Sequence, residues 1–411
     1  MRRTRGVFYG MIVMGVFAGA IRAQVAIESE GMLETVKYLS GAAFMGRGIG
    51  TPELDRAAAF IAARFEAVGL LPGGSANGSW FQEWTDPESK ARMRNVVGIL
   101  PGRNAELTRE SVVIGAHYDH LGTKGVTKEN AGKEHPGADD NASGVAVLLE
   151  LASRLPLVAN MERTVVFVAF TGEEQGRKGS RYFVQNEKQN HVAKAIAMIN
   201  LDTVGRLGKG KLIVLGTGTA KEWSAIFQET AKSLKIEVAE MAQELDSSDQ
   251  KSFQEAGVPA VQLFTGPHAD YHRPTDTADK IDGKGLVKIA TVARAVAFTL
   301  ANRPEPLTAT ITPSPAGAPA LRTDRKVTLG IVPDFTYNGQ GVRLGGMSPD
   351  GPVERAGLRT GDVVIQAGNI AIADLKDLSD VLKTKQPGDR LSLRFLRNGK
   401  EMKAEVELKE R

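Results

Sequence analysis

Residues Gly115 to Gly144 decide how this chain reads. They open Gly-Ala-His117-Tyr-Asp119-His120-Leu-Gly and close Gly137-Ala-Asp139-Asp140-Asn141-Ala-Ser-Gly144. The apolar run Ser-Val-Val-Ile-Gly-Ala ahead of His117 is that of a buried strand, and it delivers a histidine and an aspartate two residues apart. After a loop rich in glycine and lysine come paired carboxylates, then an apolar, helix-like segment from Val145 to Leu155. Neutral imidazole and ionised carboxylate are both good zinc ligands, and a carboxylate can bridge two ions. Histidine and acids gathered where a strand ends therefore point to a divalent metal site.

Working outward, apolar β-branched runs alternate with helical patterns. The runs predict strands at Asn95–Leu100, Ser111–Ala116, Thr164–Phe170, Ile196–Leu201, Leu212–Leu215 and Ala260–Phe264. Helices are expected at Ser29–Leu39, Ser143–Arg154, Lys178–Asn186, Lys221–Leu234 and Lys284–Ala301. A further long helix opens at Thr51-Pro52, a cap followed by proline at the first helical position, and ends at Gly69. Such alternation indicates an α/β domain with a mostly parallel sheet. Ligands of such sheets collect at the carboxyl ends of the strands.

At 411 residues the chain exceeds what a single core usually supports, so two folded domains are expected. With 42% hydrophobic and 24% charged residues, wholesale disorder is excluded. The absence of cysteine removes disulfides, thiol nucleophiles and Cys-ligated zinc together. Arg2, Arg3 and Arg5 followed by the apolar run Val7 to Ala20 read as an export signal over residues 1–23, too short for a full membrane span. Its cleavage would leave no stable membrane span and an exported protein, periplasmic or secreted. Arg2, Arg3, Arg5 and Arg22 account for the whole formal charge of +4, so the basic balance says nothing of nucleic acid, and no Lys/Arg cluster elsewhere does.

Four positions fall at or just after predicted strand ends: His117, the pair Glu173-Glu174, Asp202, and His272 within Asp270-Tyr-His-Arg-Pro-Thr-Asp276. Together with Gly137-Ala-Asp-Asp140-Asn-Ala-Ser-Gly and Asn200-Leu-Asp202, these motifs resemble the secreted di-zinc aminopeptidases, family 28 of the metallopeptidases, over about Glu28 to Asn302. The resemblance implies a zinc-peptidase fold, a mixed, mostly parallel central sheet flanked by helices, across residues 28–302. It implies two Zn2+ ions, one on His117 and Asp202, the other on Glu174 and His272, bridged by Asp140, with a cis peptide bond after Asp140. It implies Glu173 as general base, Tyr271 as a donor to the oxyanion, and Asp119 as acceptor of the other ring N–H of His117. The substrate would be a peptide with a free N-terminus. His120, His135, His191 and His268 read as loop or surface histidines, with His268 the possible rival to His272. Where many relatives carry Ser-Asp-His, this chain has Ser248-Asp249-Gln250.

Residues 303–321, rich in Pro, Ala and Thr, read as an extended linker. Beyond it, Asp374-Leu-Lys-Asp-Leu-Ser-Asp-Val-Leu is an amphipathic helix, and alternating strands flank Asn398-Gly399, a hairpin signal. Ser348-Pro, Ala356-Gly-Leu and Gly361-Asp-Val-Val resemble a PDZ domain, small and β-rich, over residues 322–411. By that resemblance Leu329, Gly330 and Ile331 belong to a carboxylate-binding loop, where the C-terminus of a peptide or protein would add as a strand. Glutaminyl cyclase-like acyl transfer, a carboxypeptidase, or a catalytically inactive PDZ adaptor are the alternatives. Retention of His117, Asp202 and Glu173 speaks for the aminopeptidase.

Overall fold

The computed structural model describes residues 26–124, 130, 132–158, 161–186, 194–313, 326–335, 337, 339–348 and 350–410. Residues 1–23, read as an export signal, His191, and the linker residues 314–321 lie outside the described residues.

In the first domain, nine strands form one mixed sheet: β1 (Leu71–Pro72), β2 (Phe81–Thr85), β3 (Arg92–Leu100), β4 (Glu110–His117), β5 (Thr164–Phe170), β6 (Lys194–Leu201), β7 (Leu212–Leu215), β8 (Val238–Met241) and β9 (Ala260–Phe264). They lie in the order β1-β3-β5-β4-β6-β9-β7-β8, with β2 on the remaining part of β3. The four central strands β5, β4, β6 and β9 run parallel, while the flanks are partly antiparallel. The helices are α1 (Ser29–Leu39), α2 (Pro52–Ala67), α3 (Gly144–Val158), α4 (Lys178–Gln185), α5 (Trp223–Leu234), α6 (Gln250–Glu255) and α7 (Gly283–Asn302).

The period of two in β5 explains the layering. Val165, Phe167 and Ala169 join the larger core under α1, α2, α3 and α7, whereas Val166, Val168 and Phe170 join a second core with Phe183 of α4 and Phe253 of α6. A strand covered on both faces needs apolar residues at every position, hence the continuous runs in the sequence. The α2 start follows its sequence signals: Thr51 caps it by accepting from the Leu54 N–H, and Pro52 follows. The half-buried β8 and the strand β2 were not expected from the sequence, and neither was the short α6.

The stretch read as an extended linker begins docked on the first domain. Arg163, fully buried, donates to the carbonyls of Arg303 and Pro304. Leu307 enters the main core, Thr308 donates from backbone and side chain to Glu222, and Ala309 bridges Ala220. Composition alone does not reveal this docking, because it depends on one leucine finding a slot beside α5. Residues through about 313 thus belong to the first domain. A chain ending at Pro313 is expected to unfold at the full-length domain's denaturant midpoint. One ending at Arg303 should lose about 2–4 kcal/mol, the scale of deleting a buried leucine side chain; equal midpoints would refute the docking.

The C-terminal domain contains β10 (Val327–Thr328), β11 (Ile331–Pro333), β12 (Val342–Met347), β13 (Val363–Ala367), β14 (Ile370–Ala371), β15 (Arg390–Arg397), β16 (Lys400–Glu407) and β17 (Lys409–Glu410), with helices α8 (Pro352–Arg355) and α9 (Leu375–Lys383). Asn398 and Gly399 both take positive φ, 50° and 77°, at the β15–β16 turn, the conformation a two-residue hairpin needs. Asp374 caps α9 by accepting from the Asp377 N–H. Leu329 is buried in this domain's own core, and Gly330 turns the chain at φ 68°. The two domains touch where the ring of Phe335 meets Phe264 edge-on, 5.7 Å between centroids.

Candidate metal centre

Because β5, β4, β6 and β9 are adjacent and parallel, their carboxyl ends form one rim, and each carries or precedes one of the expected ligands. His117 ends β4, Glu173 and Glu174 follow β5, Asp202 follows β6, and the loop after β9 returns His272. The structure brings all five named ligands together. His117 Nε2 lies 3.2 Å from Asp140 Oδ1 and 3.5 Å from Asp202 Oδ1. His272 Nε2 lies 3.1 Å from both Asp140 Oδ2 and Glu174 Oε2. Asp140 therefore turns one oxygen to each histidine. The Asp140–Asn141 peptide bond is cis.

The irregular turn Ala138–Ser143 that presents Asp140 is held from all sides. Asp276, buried, accepts from the N–H groups of Asp139 and Asp140 at 2.9 and 3.1 Å, and from Arg206 at 3.0 Å. The Asn141 amide donates to the Leu201 carbonyl and accepts from Thr203 N–H, which ties this turn to the Asp202 loop. Arg47, with no exposed surface, donates to the carbonyls of Leu39, Tyr118, Pro136 and Gly137 at 2.7–2.9 Å. His272 and Thr203, at φ 56° each, occupy the left-handed region that non-glycine residues rarely enter. Such conformations persist where the surroundings over-determine them.

Asp119 accepts the other ring N–H of His117, and does so through its backbone carbonyl and not its carboxylate: Nδ1 lies 3.1 Å from the former and 3.8 Å from the latter. The short i to i+2 connection turns the carbonyl inward. The carboxylate instead accepts from the N–H groups of Glu173 and Glu174, at 3.2 and 3.4 Å, and so fixes their turn. One expectation needs correction: His120 is not a surface residue. It is buried, with Nδ1 2.6 Å from Glu174 Oε1 and 3.9 Å from Asp140 Oδ2. Only its place three residues after His117 hinted at this. His135 is buried as well, against the Lys133 carbonyl. His268 does not rival His272; its Nε2 faces Asp139 Oδ2 at 3.1 Å. Tyr271 stacks on His272, centroids 3.9 Å apart and planes 16° off parallel. Gln250 accepts from Asn200, at the core side of Asp202.

The donor set fits metal. A carbonyl only accepts, so His117 Nδ1 carries a proton, and Nε2 is the ring nitrogen that faces the two carboxylate oxygens. One imidazole nitrogen and two carboxylates converging in burial are a donor set that a divalent cation would fit. Asp140 Oδ2 and His272 Nε2 are likewise buried without a hydrogen-bond partner. Two overlapping sets, His117–Asp140–Asp202 and His120–Asp140–Glu174, have ligand atoms within 4.8 Å of one another. Burial would raise the Asp140 carboxyl, yet His120, His117 and His272 hold it well below the usual range. Burial pushes Glu173 well above it, with Glu174, Asp249 and Asp202 adding and His117 opposing. Burial lowers Arg47 to about 10 against the pull of Asp140, Asp119, Asp276 and Glu174.

Comparison with known proteins now has a geometry to meet. Residues 95–297 match the model of peptidase family M28, and residues 327–408 that of a PDZ domain. Aminopeptidase YwaD of Bacillus subtilis is 27% identical over 50% of this chain and 44% of its own length. A probable leucine aminopeptidase of Arthroderma otae is 29% identical over 52% and 59%. The chain thus spans about half the length of these curated relatives. Among solved structures, the Legionella pneumophila LapA aminopeptidase superposes with a TM-score of 0.55 at 20% identity, over 74% of this chain and 78% of that one. BSAP, a zinc aminopeptidase from Bacillus subtilis, gives 0.54 at 17%, over 67% and 95%. A glutaminyl cyclase of Bacteroides thetaiotaomicron gives 0.54 at 19%, over 66% and 98%. At these identities the likeness establishes a shared fold.

Proposed function

We propose, from the premise that this chain joins a peptidase of family M28 to a PDZ domain, that it is an exported aminopeptidase removing N-terminal residues from peptides. The observation that carries the reading is Asp140, whose two oxygens face two separate histidine–carboxylate groups. His117 and Asp202 would hold one zinc ion, Glu174 and His272 the other, with Asp140 between them. Bound there, the pair supplies Lewis acidity toward the scissile carbonyl and toward a water. Glu173, beside Glu174 in sequence and raised by burial, takes the proton of the attacking water and delivers it to the leaving amine. Asp119 keeps Glu173 and Glu174 on one turn, and His120 donates to the Glu174 oxygen turned away from His272. Tyr271, fixed against His272, donates to the developing oxyanion. The free amine of the substrate is met by the acidic groups of the same cleft. Export is supported by the charged start and the apolar run Val7 to Ala20.

A panel of aminoacyl anilides, free and N-acetylated, with and without chelator, tests this. Free substrates should be hydrolysed, acetylated ones not, and chelator should abolish turnover until zinc is restored. Chelator-resistant hydrolysis, or equal rates on blocked substrates, would refute the reading. A chain ending at Pro313 should retain this activity.

A further inference from the structure

The C-terminal domain meets the first domain at the carboxyl end of β9, where Phe335 lies on Phe264. β11 is the end strand of its sheet and pairs only with β12 among the described residues. Its other edge is open to an added strand. The chain enters β11 through the Gly330 turn, whose own N–H is held by Thr328 Oγ1 at 2.9 Å; in a PDZ-type groove the peptide's terminal carboxylate lies at this end of the strand. With its carboxylate at the start of β11, a peptide runs back along Ile331 to Phe335, so its amino end leaves by Phe335.

That exit lies on the peptidase domain. Pro333, Phe335 and Leu375 line a cavity of about 260 Å³ whose other wall is Glu240, Met241 and Gln243, at the end of β8. Phe335 rests on Phe264, the last residue of β9. Leu263 pairs with Leu201, and Asp202 follows Leu201, so Phe264, on which the exit rests, ends the strand next to the one that leads to a metal-ligand position. The placement is tied down elsewhere too. Lys383 of α9 lies 3.9 Å from Asp246, which Arg177 holds at 2.9 Å, and the Arg177 N–H donates to the Glu173 carbonyl.

We propose that the groove anchors the free carboxyl end of the same peptide whose amino end enters the metal centre. The substrate class is then peptides with both termini free, long enough to span the two sites. This rests on the aminopeptidase reading above. The run along β11 to Phe335 takes four residues, roughly 13 Å, and the remainder to the metal centre about as much again, so the span needs about eight residues. Anchoring one end makes binding of the other intramolecular and lowers KM without a new contact at the reacting bond. Pro333 has no N–H to give the added strand, which keeps the anchor weak enough for a shortened product to leave.

The test uses the full chain and peptides of three, six, nine and twelve residues with one N-terminal sequence, each as free acid and as C-terminal amide. The nine- and twelve-residue acids should exceed their amides about tenfold in kcat/KM, mostly through KM, while the three-residue pair should be equal. An N-acetylated nine-residue acid should compete with the long acid substrate, and its amide should not. Equal turnover of long acids and amides would overturn the proposal, as would slower turnover of the acids. Acceleration of leucyl anilide hydrolysis by the acetylated acid would also overturn it, making the groove a regulator instead. If leucyl anilide itself is not hydrolysed, the failure lies with the aminopeptidase reading and not with the anchor.

Discussion

Glu173→Gln should leave zinc content at the wild-type level while kcat falls by about 10²–10⁴-fold, the usual contribution of a positioned general base. The amide matches the carboxylate in size, and the Asp119 carboxylate grips the backbone N–H at 173 rather than the side chain, so the turn survives. Glu174 keeps its contacts with His120 and His272. What disappears is the ability to accept a proton. Metal analysis beside turnover of a leucyl anilide decides the matter: unchanged turnover removes Glu173 as base, and lost zinc makes it a ligand.

Arg47→Met should cost the first domain about 3–5 kcal/mol, the loss expected when one partner of a buried charged network is removed. The methionine fills much of the volume, yet the carbonyls of Leu39, Tyr118, Pro136 and Gly137 are left without their donor. Asp119, Asp140, Glu174 and Asp276 also lose the cation that now faces them. Denaturant midpoints of the chain ending at Pro313 would measure the loss, and Arg47→Lys, which keeps charge without the planar fork, should fall between. A methionine variant within 1 kcal/mol of wild type would show that the four carbonyls find other donors.

Much of this was legible in the sequence because the central strands are covered on both faces, and continuous apolar runs such as Thr164–Phe170 have few other readings. Four of the five ligand positions were legible as strand ends, and Asp140 by its motif before a helix, although their convergence needed the parallel order of β5, β4, β6 and β9. The side chains that hold the site were not. Arg47 reaches carbonyls up to 90 residues away, and Asp276 reaches N–H groups 136 and 137 residues away. Nothing in an isolated arginine or aspartate announces such partners. His120 read as a loop residue because loop histidines usually are, and Leu307 was a single apolar residue in a stretch that otherwise reads as spacer.

One rim of the sheet gathers every proposed ligand, which leaves the opposite rim, at the amino ends of the same strands, silent. Lys194 starts β6 there, its side chain in solvent. In a chain without native cysteine, a single thiol introduced at that position would take one fluorophore and no other site would compete for it. Such a dye would watch the folding of the central sheet from the side away from the chemistry, leaving catalysis undisturbed.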